Sequence, residues 1–307
     1  MPREVYAGID LGGTAIKYGL VAGDGRLLAT AICTTPVGRA AILRQLVAII
    51  HDLQQTANEK HLTLAAVGIG SAGIVDPNRG QIIGRCPNIA GWQGTEVKRE
   101  IESATGLPVR VDNDANAMAL AEHRYGAGKG FSSGIYITVG TGIGSGIILD
   151  GRLWRGAHFA GAEFGHTIIV KGGRRCPCGK QGCLEMYAAT GALRRYYGKR
   201  LPPEEGARPV FQLARTGDQA AQAAILKAAD YLAAGIGSVL ELINPECVVI
   251  GGGVTVGRGY LKSVRATLPR YSSRAALHGV KVKRAKLGNN AGLIGAALLC
   301  QGDNISA

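Results

Sequence analysis

A histidine and three closely spaced cysteines have the clearest metal-binding pattern in this chain. His166 precedes Cys176, Cys178 and Cys183 in the stretch GAEFGHTIIVKGGRRCPCGKQGCLE, residues 161–185. Thiolates and imidazole are preferred zinc ligands, and four protein ligands leave no open coordination position. The pattern predicts one structural Zn²⁺ site. The alternatives are three unrelated thiols beside a surface histidine, or a strained disulfide within the Cys-x-Cys pair.

Two carboxylates flank these metal-binding candidates. Glu163 lies three residues before His166, and Glu185 lies two residues after Cys183. A loop that is ordered by a metal would also order both carboxylates. We therefore expect the loop to support a polar pocket.

Two turns rich in glycine and threonine have the residue types that bind phosphate. They are residues 10–14, DLGGT, and residues 140–144, GTGIG. Backbone N–H groups of a glycine turn can cradle phosphate oxygens, and a threonine hydroxyl adds a hydrogen bond. Asp10 can hold the waters of a Mg²⁺ ion. Either turn, taken alone, is also consistent with an ordinary Gly-Gly hairpin.

Four polar residues out of five occupy positions 112–116, DNDAN, between a predicted strand and a predicted helix. One helix cap needs only one side chain, so the polar content exceeds what capping requires. Asp114 is therefore a candidate general base, and capping alone is the alternative. Because strand positions alternate between faces, Asp112 is expected to point away from Asp114.

Two further glycine-rich segments follow predicted strands. Residues 68–73, GIGSAG, match the dinucleotide-binding pattern G-x-G-x-x-G, but IVDP follows where that pattern requires a helix. We interpret them as a glycine-rich loop that faces a ligand. Residues 251–253 are three glycines after a strand, where a flat ligand can approach the backbone.

The elements that position these residues fall into two similar halves. With 307 residues, 46% of them hydrophobic, the chain is long enough for two domains. Each half begins with a strand, a Gly/Thr turn and a returning strand, at residues 5–21 and 133–149. A third strand at 27–34 makes the first half an antiparallel meander, and residues 218–244 form a long helix. Two such halves that face each other would bring both turns to one cleft.

Composition limits the partners. The net charge of +13 fits an anionic ligand such as a nucleotide, whereas only 5% aromatic residues and no arginine-rich arm argue against nucleic acid. We find no run of about 18 apolar residues and no signal sequence, so we expect no membrane span. The seven cysteines are then expected to be reduced, in a cytoplasmic protein.

The motifs together resemble the ROK family of sugar kinases and sugar-responsive repressors. The matching segments, in chain order, are DLGGT (10–14), DNDAN (112–116), GTGIG (140–144), GAEFGH (161–166), CPCGKQGCLE (176–185) and IGGGV (250–254). The resemblance implies an α/β actin-like ATPase (ribonuclease H-like) fold with two lobes around a cleft. The implied lobes are 1–117 with 290–307, and 118–289, which carries the zinc loop at 161–185.

The resemblance also implies roles for individual residues. Asp114 would be the general base, and one nitrogen of His166 would bind zinc while the other faces the sugar. The implied sugar ligands are Gly73, Asn88, Asn113, Asp114, Glu163, His166 and Glu185. The implied ATP-binding residues, with Asp10 near Mg²⁺, are Asp10, Gly12, Gly13, Thr14, Lys17, Thr141, Gly142, Gly252 and Gly253.

The implied activity is ATP-dependent phosphorylation of a hexose. The segment LEMYAATG, residues 184–191, is similar to that of glucokinase members, so we favour glucose over N-acetylmannosamine or N-acetylglucosamine. A regulator is the alternative outside the enzymes, but the first predicted strand begins at Val5 and leaves no room for a helix-turn-helix domain. The resemblance further implies a homodimer or homotetramer.

Overall fold

The computed structural model describes residues 3–84, 86–202, 205–256 and 259–302. The chain forms two compact units. The first comprises Met1–Lys129, Gly146–Ala162 and Asn289–Ala307, and the second comprises Gly130–Ser145 and Glu163–Gly288. The boundaries of these units differ from those of the predicted lobes. The lobe boundaries stay a prediction.

The described residues form strands and helices along the whole chain. The strands are β1 (Arg3–Leu11), β2 (Ala15–Ala22), β3 (Leu27–Thr34), β4 (Leu62–Ser71), β5 (Val75–Asp76), β6 (Gln81–Ile82), β7 (Val109–Asn113), β8 (Gly134–Val139), β9 (Ile143–Leu149), β10 (Arg152–Trp154), β11 (Cys247–Gly251) and β12 (Lys281–Arg284). The α-helices are α1 (Arg39–Glu59), α2 (Val97–Thr105), α3 (Asp114–Arg124), α4 (Glu185–Ala188), α5 (Thr190–Tyr197), α6 (Arg208–Arg215), α7 (Gln219–Ile243), α8 (Tyr260–Thr267), α9 (Arg274–Leu277) and α10 (Ala291–Leu298).

The sheet of the first unit has the strand order β3-β2-β1-β4-β7. β1, β2 and β3 form the predicted antiparallel meander, and β4 and β7 run parallel to β1. Leu11, Ser71 and Asn113, at the carboxyl ends of the three parallel strands, lie in register. The segments that follow these strands therefore begin at one edge of the sheet, and all three contain predicted site residues.

Helices cover the sheet of the first unit, and two glycines allow one of them to approach closely. α10 packs against β1 and β4. A Cβ at Gly8 would lie 2.1 Å from the carbonyl oxygen of Leu293, and one at Gly68 would lie 1.7 Å from that of Ala296. Any side chain at either position would therefore force the helix away from the strands.

The second unit contains three parallel strands, with β11 between β8 and β12. β8 leads through residues 140–142 into β9, which forms an antiparallel hairpin with β10. The predicted long helix is confirmed as α7, and Asp218 caps it by accepting a hydrogen bond from the backbone N–H of Ala221 at 2.9 Å.

The same helix is long and apolar enough to cross a membrane by length and composition. In the most apolar 18-residue stretch of this helix, 56% is buried inside the protein. Burial of this kind is usual for a core helix, which passes the same test of length and hydropathy. The expected absence of a membrane span stays a prediction.

Candidate functional site

The start of α3 places Asn113 and Asp114 beside the loop that follows β4. The side-chain oxygen of Asn113 accepts hydrogen bonds from the backbone N–H groups of Ala115, at 2.9 Å, and Asn116, at 3.2 Å. Its amide nitrogen donates to the carbonyl of Gly73 at 3.0 Å. Asn113 is thus the cap of α3, which leaves the partly exposed carboxylate of Asp114 in the first helical turn.

Asp112 has a different environment from Asp114. Its side chain is 2% exposed, and its Oδ2 lies 2.6 Å from Nε of Arg155. Its Oδ1 accepts from the backbone N–H of Asn113, at 2.7 Å, and from the amide of Asn116, at 2.9 Å. Asp112 is therefore a structural anchor for the segment that carries Asp114. The expectation from strand alternation is wrong in its reasoning, because positions two apart on a strand share a face. The two side chains differ in environment because Asp112 lies on the strand and Asp114 is the first residue of α3.

The DLGGT turn is exposed at Gly13 and Thr14, and Thr35 stabilises its backbone with two hydrogen bonds. The Thr35 hydroxyl donates to the carbonyl of Gly12 at 2.7 Å, and its backbone N–H donates to the carbonyl of Thr14 at 3.0 Å. Gly13 packs against the loop that holds Asn88: a Cβ at residue 13 would lie 2.7 Å from the Asn88 carbonyl oxygen. The structure thus brings a residue predicted for ATP against one predicted for sugar.

Asp10 lies near the end of β1, opposite Lys17 on β2. Burial raises the pKa of the Asp10 carboxyl, and the positive charge of Lys17, whose Nζ is 4.0 Å from Oδ2, opposes that rise. The Asp10 carboxylate also lies against Gly292, where a Cβ would be 2.6 Å from Oδ2. A largely buried carboxylate beside a phosphate-type turn has the right chemistry to hold the waters of Mg²⁺.

The GTGIG turn of the second unit is closed by a hydrogen bond from the N–H of Gly140 to the carbonyl of Gly142 at 2.9 Å. Gly252 lies beside it, because a Cβ there would be 2.3 Å from the carbonyl oxygen of Val139, the residue before the turn. Gly252 also has φ of +87°, which favours glycine. The segments predicted to bind phosphate and adenosine are therefore neighbours.

The four predicted zinc ligands form one cluster, which could hold a metal ion. Their ligand atoms all lie within 4.8 Å of one another. Sγ of Cys176 is 3.6 Å from Nδ1 of His166, and the Sγ atoms of Cys178 and Cys183 are 3.6 Å apart. Zn–S bonds of about 2.3 Å in a tetrahedron separate two sulfurs by roughly 3.8 Å. The donor set fits zinc, and no disulfide joins these cysteines.

The two nitrogens of His166 face different groups. Nδ1 points to the cysteines, and Nε2 lies 4.0 Å from Oε2 of Glu163. Burial raises the pKa of Glu163, and the nearby His166 and Lys180 oppose that rise. His166 thus belongs both to the Cys/His cluster and to a carboxylate-histidine pair with Glu163, whose polar atoms suit sugar hydroxyls.

The predicted site residues separate into one set on each unit. The first unit holds Asp10, Gly12, Gly13, Thr14, Lys17, Gly73, Asn88, Asn113 and Asp114. The second holds Thr141, Gly142, Glu163, His166, Cys176, Cys178, Cys183, Glu185, Gly252 and Gly253. Sequence reasoning missed Thr35 and Arg155, which support the site from other elements. No local pattern marks either residue, because each acts on a partner far away in the sequence.

Known proteins are similar to this chain over nearly its whole length. Residues 6–303 match the ROK family. The glucokinase of Thermotoga maritima is 33% identical, over 97% of this chain and 97% of the relative. The N-acetylmannosamine kinase of Shigella boydii is also 33% identical, over 97% of this chain and 98% of the relative.

A solved structure gives the same result for the fold. The ROK family glucokinase from Streptomyces griseus, in complex with glucose and AMPPNP, is 36% identical and superposes with a TM-score of 0.84. The match covers 97% of this chain and all of the other. The predicted actin-like α/β fold is confirmed, and the chain belongs to the ROK family.

Proposed function

We propose that the chain is an ATP-dependent hexokinase that converts glucose to glucose 6-phosphate. The observation that carries the proposal is the contrast between two aspartates of one segment. Asp112 is buried in an ion pair with Arg155, whereas Asp114 begins α3 with a partly exposed carboxylate. Asp112 thus anchors the segment, whereas the carboxylate of Asp114, whose Oδ1 accepts a hydrogen bond from the backbone N–H of Ala115 at 2.8 Å, lies at the partly exposed start of the helix. The similarity to a glucokinase structure that contains glucose and AMPPNP supports the same conclusion.

Asp114 acts as the general base in this proposal. The glucose 6-hydroxyl is a poor nucleophile, so a carboxylate that accepts its proton lowers the barrier. The hydroxyl oxygen forms a bond to the γ-phosphorus as the bond to the β,γ-bridging oxygen breaks. The products are glucose 6-phosphate and ADP, and the proton from the hydroxyl goes to Asp114.

The two glycine turns bind the phosphates. Gly13 and Thr14 offer backbone N–H groups and a hydroxyl, as do Thr141 and Gly142. Gly12 shapes the first turn, because its N–H donates to the carbonyl of Ala15 at 3.1 Å. Mg²⁺, near Asp10 and Lys17, would supply charge neutralisation for the transferred phosphoryl group. Gly252 and Gly253 leave room for the adenosine.

Sugar binding is assigned to a set of polar residues. The proposed ligands are Gly73, Asn88, Asn113, Asp114, Glu163, His166 and Glu185. The cluster of His166, Cys176, Cys178 and Cys183 would hold a structural Zn²⁺ that orients the second-unit members of this set. Its chemistry is positional, because four protein ligands leave no site for substrate.

N-acetylmannosamine is the second candidate substrate. A kinase of that sugar is 33% identical to this chain, the same value as the glucokinase of Thermotoga maritima. These two relatives therefore do not distinguish between the two sugars. The structure with bound glucose is more similar, at 36%, and this value favours glucose.

A screen of hexoses for ADP release tests the proposal. Glucose, mannose, fructose, N-acetylmannosamine and N-acetylglucosamine are compared at equal concentration with MgATP, and a sample without sugar measures background hydrolysis. We expect glucose to give the largest kcat/KM. Preference for an N-acetylated sugar would select the second candidate, and sugar-independent release would reject a sugar kinase.

The proposal extends to the setting of the enzyme. We propose a cytoplasmic homodimer or homotetramer whose partners are glucose and ATP, without nucleic acid or membrane. The family resemblance supports this assembly. The regulator alternative is disfavoured because two phosphate-type turns and a partly exposed aspartate at the start of α3 suit catalysis better than sugar sensing.

A further inference from the structure

Glu185 contacts both the Cys/His cluster and the GTGIG turn of the second unit. It is the first residue of α4 and is partly buried. Its Oε2 accepts a hydrogen bond from the backbone N–H of Ile143 at 3.1 Å. Its Oε1 lies 3.5 Å from Sγ of Cys176. One carboxylate therefore joins a cluster residue to the end of the GTGIG turn.

Gly142 shows how closely the turn packs on this carboxylate. A Cβ at residue 142 would lie 2.4 Å from Oε2 of Glu185, well inside van der Waals contact. The residue in the turn must therefore be glycine as long as the carboxylate keeps its place. The other end of the turn is also held by this region, because the N–H of Thr190 donates to the carbonyl of Gly140 at 2.9 Å.

Backbone hydrogen bonds hold Glu185 at the end of the loop that carries the cluster, residues 161–185, which we call the cysteine loop. Cys183, two residues earlier, has no exposed surface. The N–H of Leu184 donates to the carbonyl of Thr167 at 2.9 Å, and the N–H of Met186 donates to that of Cys183 at 2.9 Å. The position of the Glu185 carboxylate therefore depends on the cysteine loop, and the turn depends on the carboxylate.

We propose that Glu185 is a positioning residue for nucleotide: it fixes residues 140–143 against the cysteine loop so that the N–H groups of Thr141 and Gly142 meet the ATP phosphates. This inference rests on the proposed function, because it assigns a task within the ATP site. It adds to the sugar contact that family resemblance implies for Glu185. It also gives a reason for the packing of the GTGIG turn against the cysteine loop.

Nucleotide binding without sugar separates the two roles of Glu185. Binding of AMPPNP with Mg²⁺ is measured by calorimetry for the unaltered chain, Glu185→Ala and Glu185→Gln. Alanine removes the acceptor for Ile143, whereas glutamine keeps one oxygen in its place. We expect Glu185→Ala to raise Kd at least tenfold and Glu185→Gln to stay within about threefold. An unchanged Kd for Glu185→Ala would overturn the inference.

Gly142→Ala provides a second variant that leaves the cysteine loop intact. The new methyl group displaces the far end of the Glu185 side chain, which is flexible, and so breaks its bond to Ile143. We expect the same rise in Kd with full zinc content. If Glu185→Ala loses its zinc, Gly142→Ala alone tests the role of Glu185. If the unaltered chain fails to bind AMPPNP, the proposed kinase function itself is rejected, whereas equal binding by all variants rejects only the role of Glu185.

Discussion

Oδ2 of Asp112 lies 2.6 Å from Nε of Arg155, and both side chains are largely buried, at 2% and 14% exposure. The two residues are 43 positions apart in the sequence. The pair connects the end of β7 to the segment that follows β10. Because Asp112 also accepts hydrogen bonds from Asn113 and Asn116, this ion pair helps to fix the geometry of the residues around Asp114.

We predict that Asp112→Asn lowers stability more than it lowers the chemical step. The substitution leaves the buried Arg155 facing an amide in place of a carboxylate, and breaking such a pair from one side costs on the order of 3 kcal/mol. Chemical denaturation measures this loss. A kcat close to that of the unaltered enzyme, at a temperature where the variant is folded, is the expected companion result. Unchanged stability would contradict the importance of the pair.

The contact between Gly13 and Asn88 leads to a prediction about both substrates. A valine at residue 13 would enter the space of the phosphates and would also press on the carbonyl and Cβ of Asn88, which a Cβ would approach to 2.7 and 2.8 Å. We expect Gly13→Val to raise KM for ATP and for glucose, each by tenfold or more. Steady-state kinetics with each substrate varied in turn measures both.

Gly23→Val is the matched control for this variant. Gly23 lies in the turn between β2 and β3, and a Cβ there meets nothing within 4 Å. Both KM values should stay unchanged. If Gly13→Val keeps the ATP affinity of the unaltered enzyme, the assignment of this turn to phosphate is wrong.

Metal content tests the Cys/His cluster. Its geometry predicts about one zinc per chain in freshly purified protein, measured by elemental analysis. Cys183→Ser should lose most of the zinc and lower the unfolding temperature, because the site closes only with all four ligands. Cys33→Ser, which changes a half-buried cysteine outside the cluster, should keep the full content. Zinc-free unaltered protein would contradict the site.

The buried carboxylate of Asp10, which we propose to lie near Mg²⁺, should lower the stability of the fold at neutral pH. Burial raises its pKa in the folded state, so stability falls as pH rises from the ordinary aspartate range through the raised value, and the cost remains at neutral pH. We predict that Asp10→Asn raises the melting temperature at pH 7, with the gain vanishing below about pH 4, while affinity for MgATP falls.

The control for Asp10 is an aspartate whose pKa shifts in the other direction. Hydrogen bonds from the backbone and side chain of Arg26 lower the pKa of Asp24, and nearby Arg3 adds to this effect. Asp24→Asn should therefore give no gain in melting temperature at pH 7. A gain for Asp24→Asn equal to that for Asp10→Asn would show that general charge, and not burial of Asp10, is responsible.

Local patterns in the sequence were sufficient to predict most elements of this fold. The meander of β1–β3 follows from alternating apolar residues and glycine turns, and α7 follows from helical spacing with Asp218 as its cap. These features depend on neighbours in the sequence, which is why periodicity reveals them.

The supports of the candidate site were beyond reach of such patterns. Glu185 accepts from Ile143 across 42 residues, and the contact of Gly13 with Asn88 depends on how a loop returns to the sheet. Residue type identified Asp112, Glu185 and both turns as polar or glycine-rich, but not which oxygen meets which N–H. Only the tertiary fold decides whether a carboxylate anchors the backbone or remains for catalysis.

Asp114→Asn is the variant on which the enzymatic proposal depends most. Asparagine keeps the shape of the side chain but cannot accept a proton, so we predict that kcat falls by a factor on the order of 10² or more, the usual size of a general-base contribution. Glucose binding should weaken less, because an amide still forms hydrogen bonds. The cap of α3 is Asn113, so the helix keeps its start, and the melting temperature should change little.

Rapid-quench measurement of the first turnover separates the chemical step from product release. The comparison is Glu163→Gln, which removes the carboxylate that lies beside His166 and should affect KM for sugar more than kcat. If Asp114→Asn keeps kcat near that of the unaltered enzyme while Glu163→Gln loses it, Glu163 is the base and the assignment of the α3 aspartate is wrong.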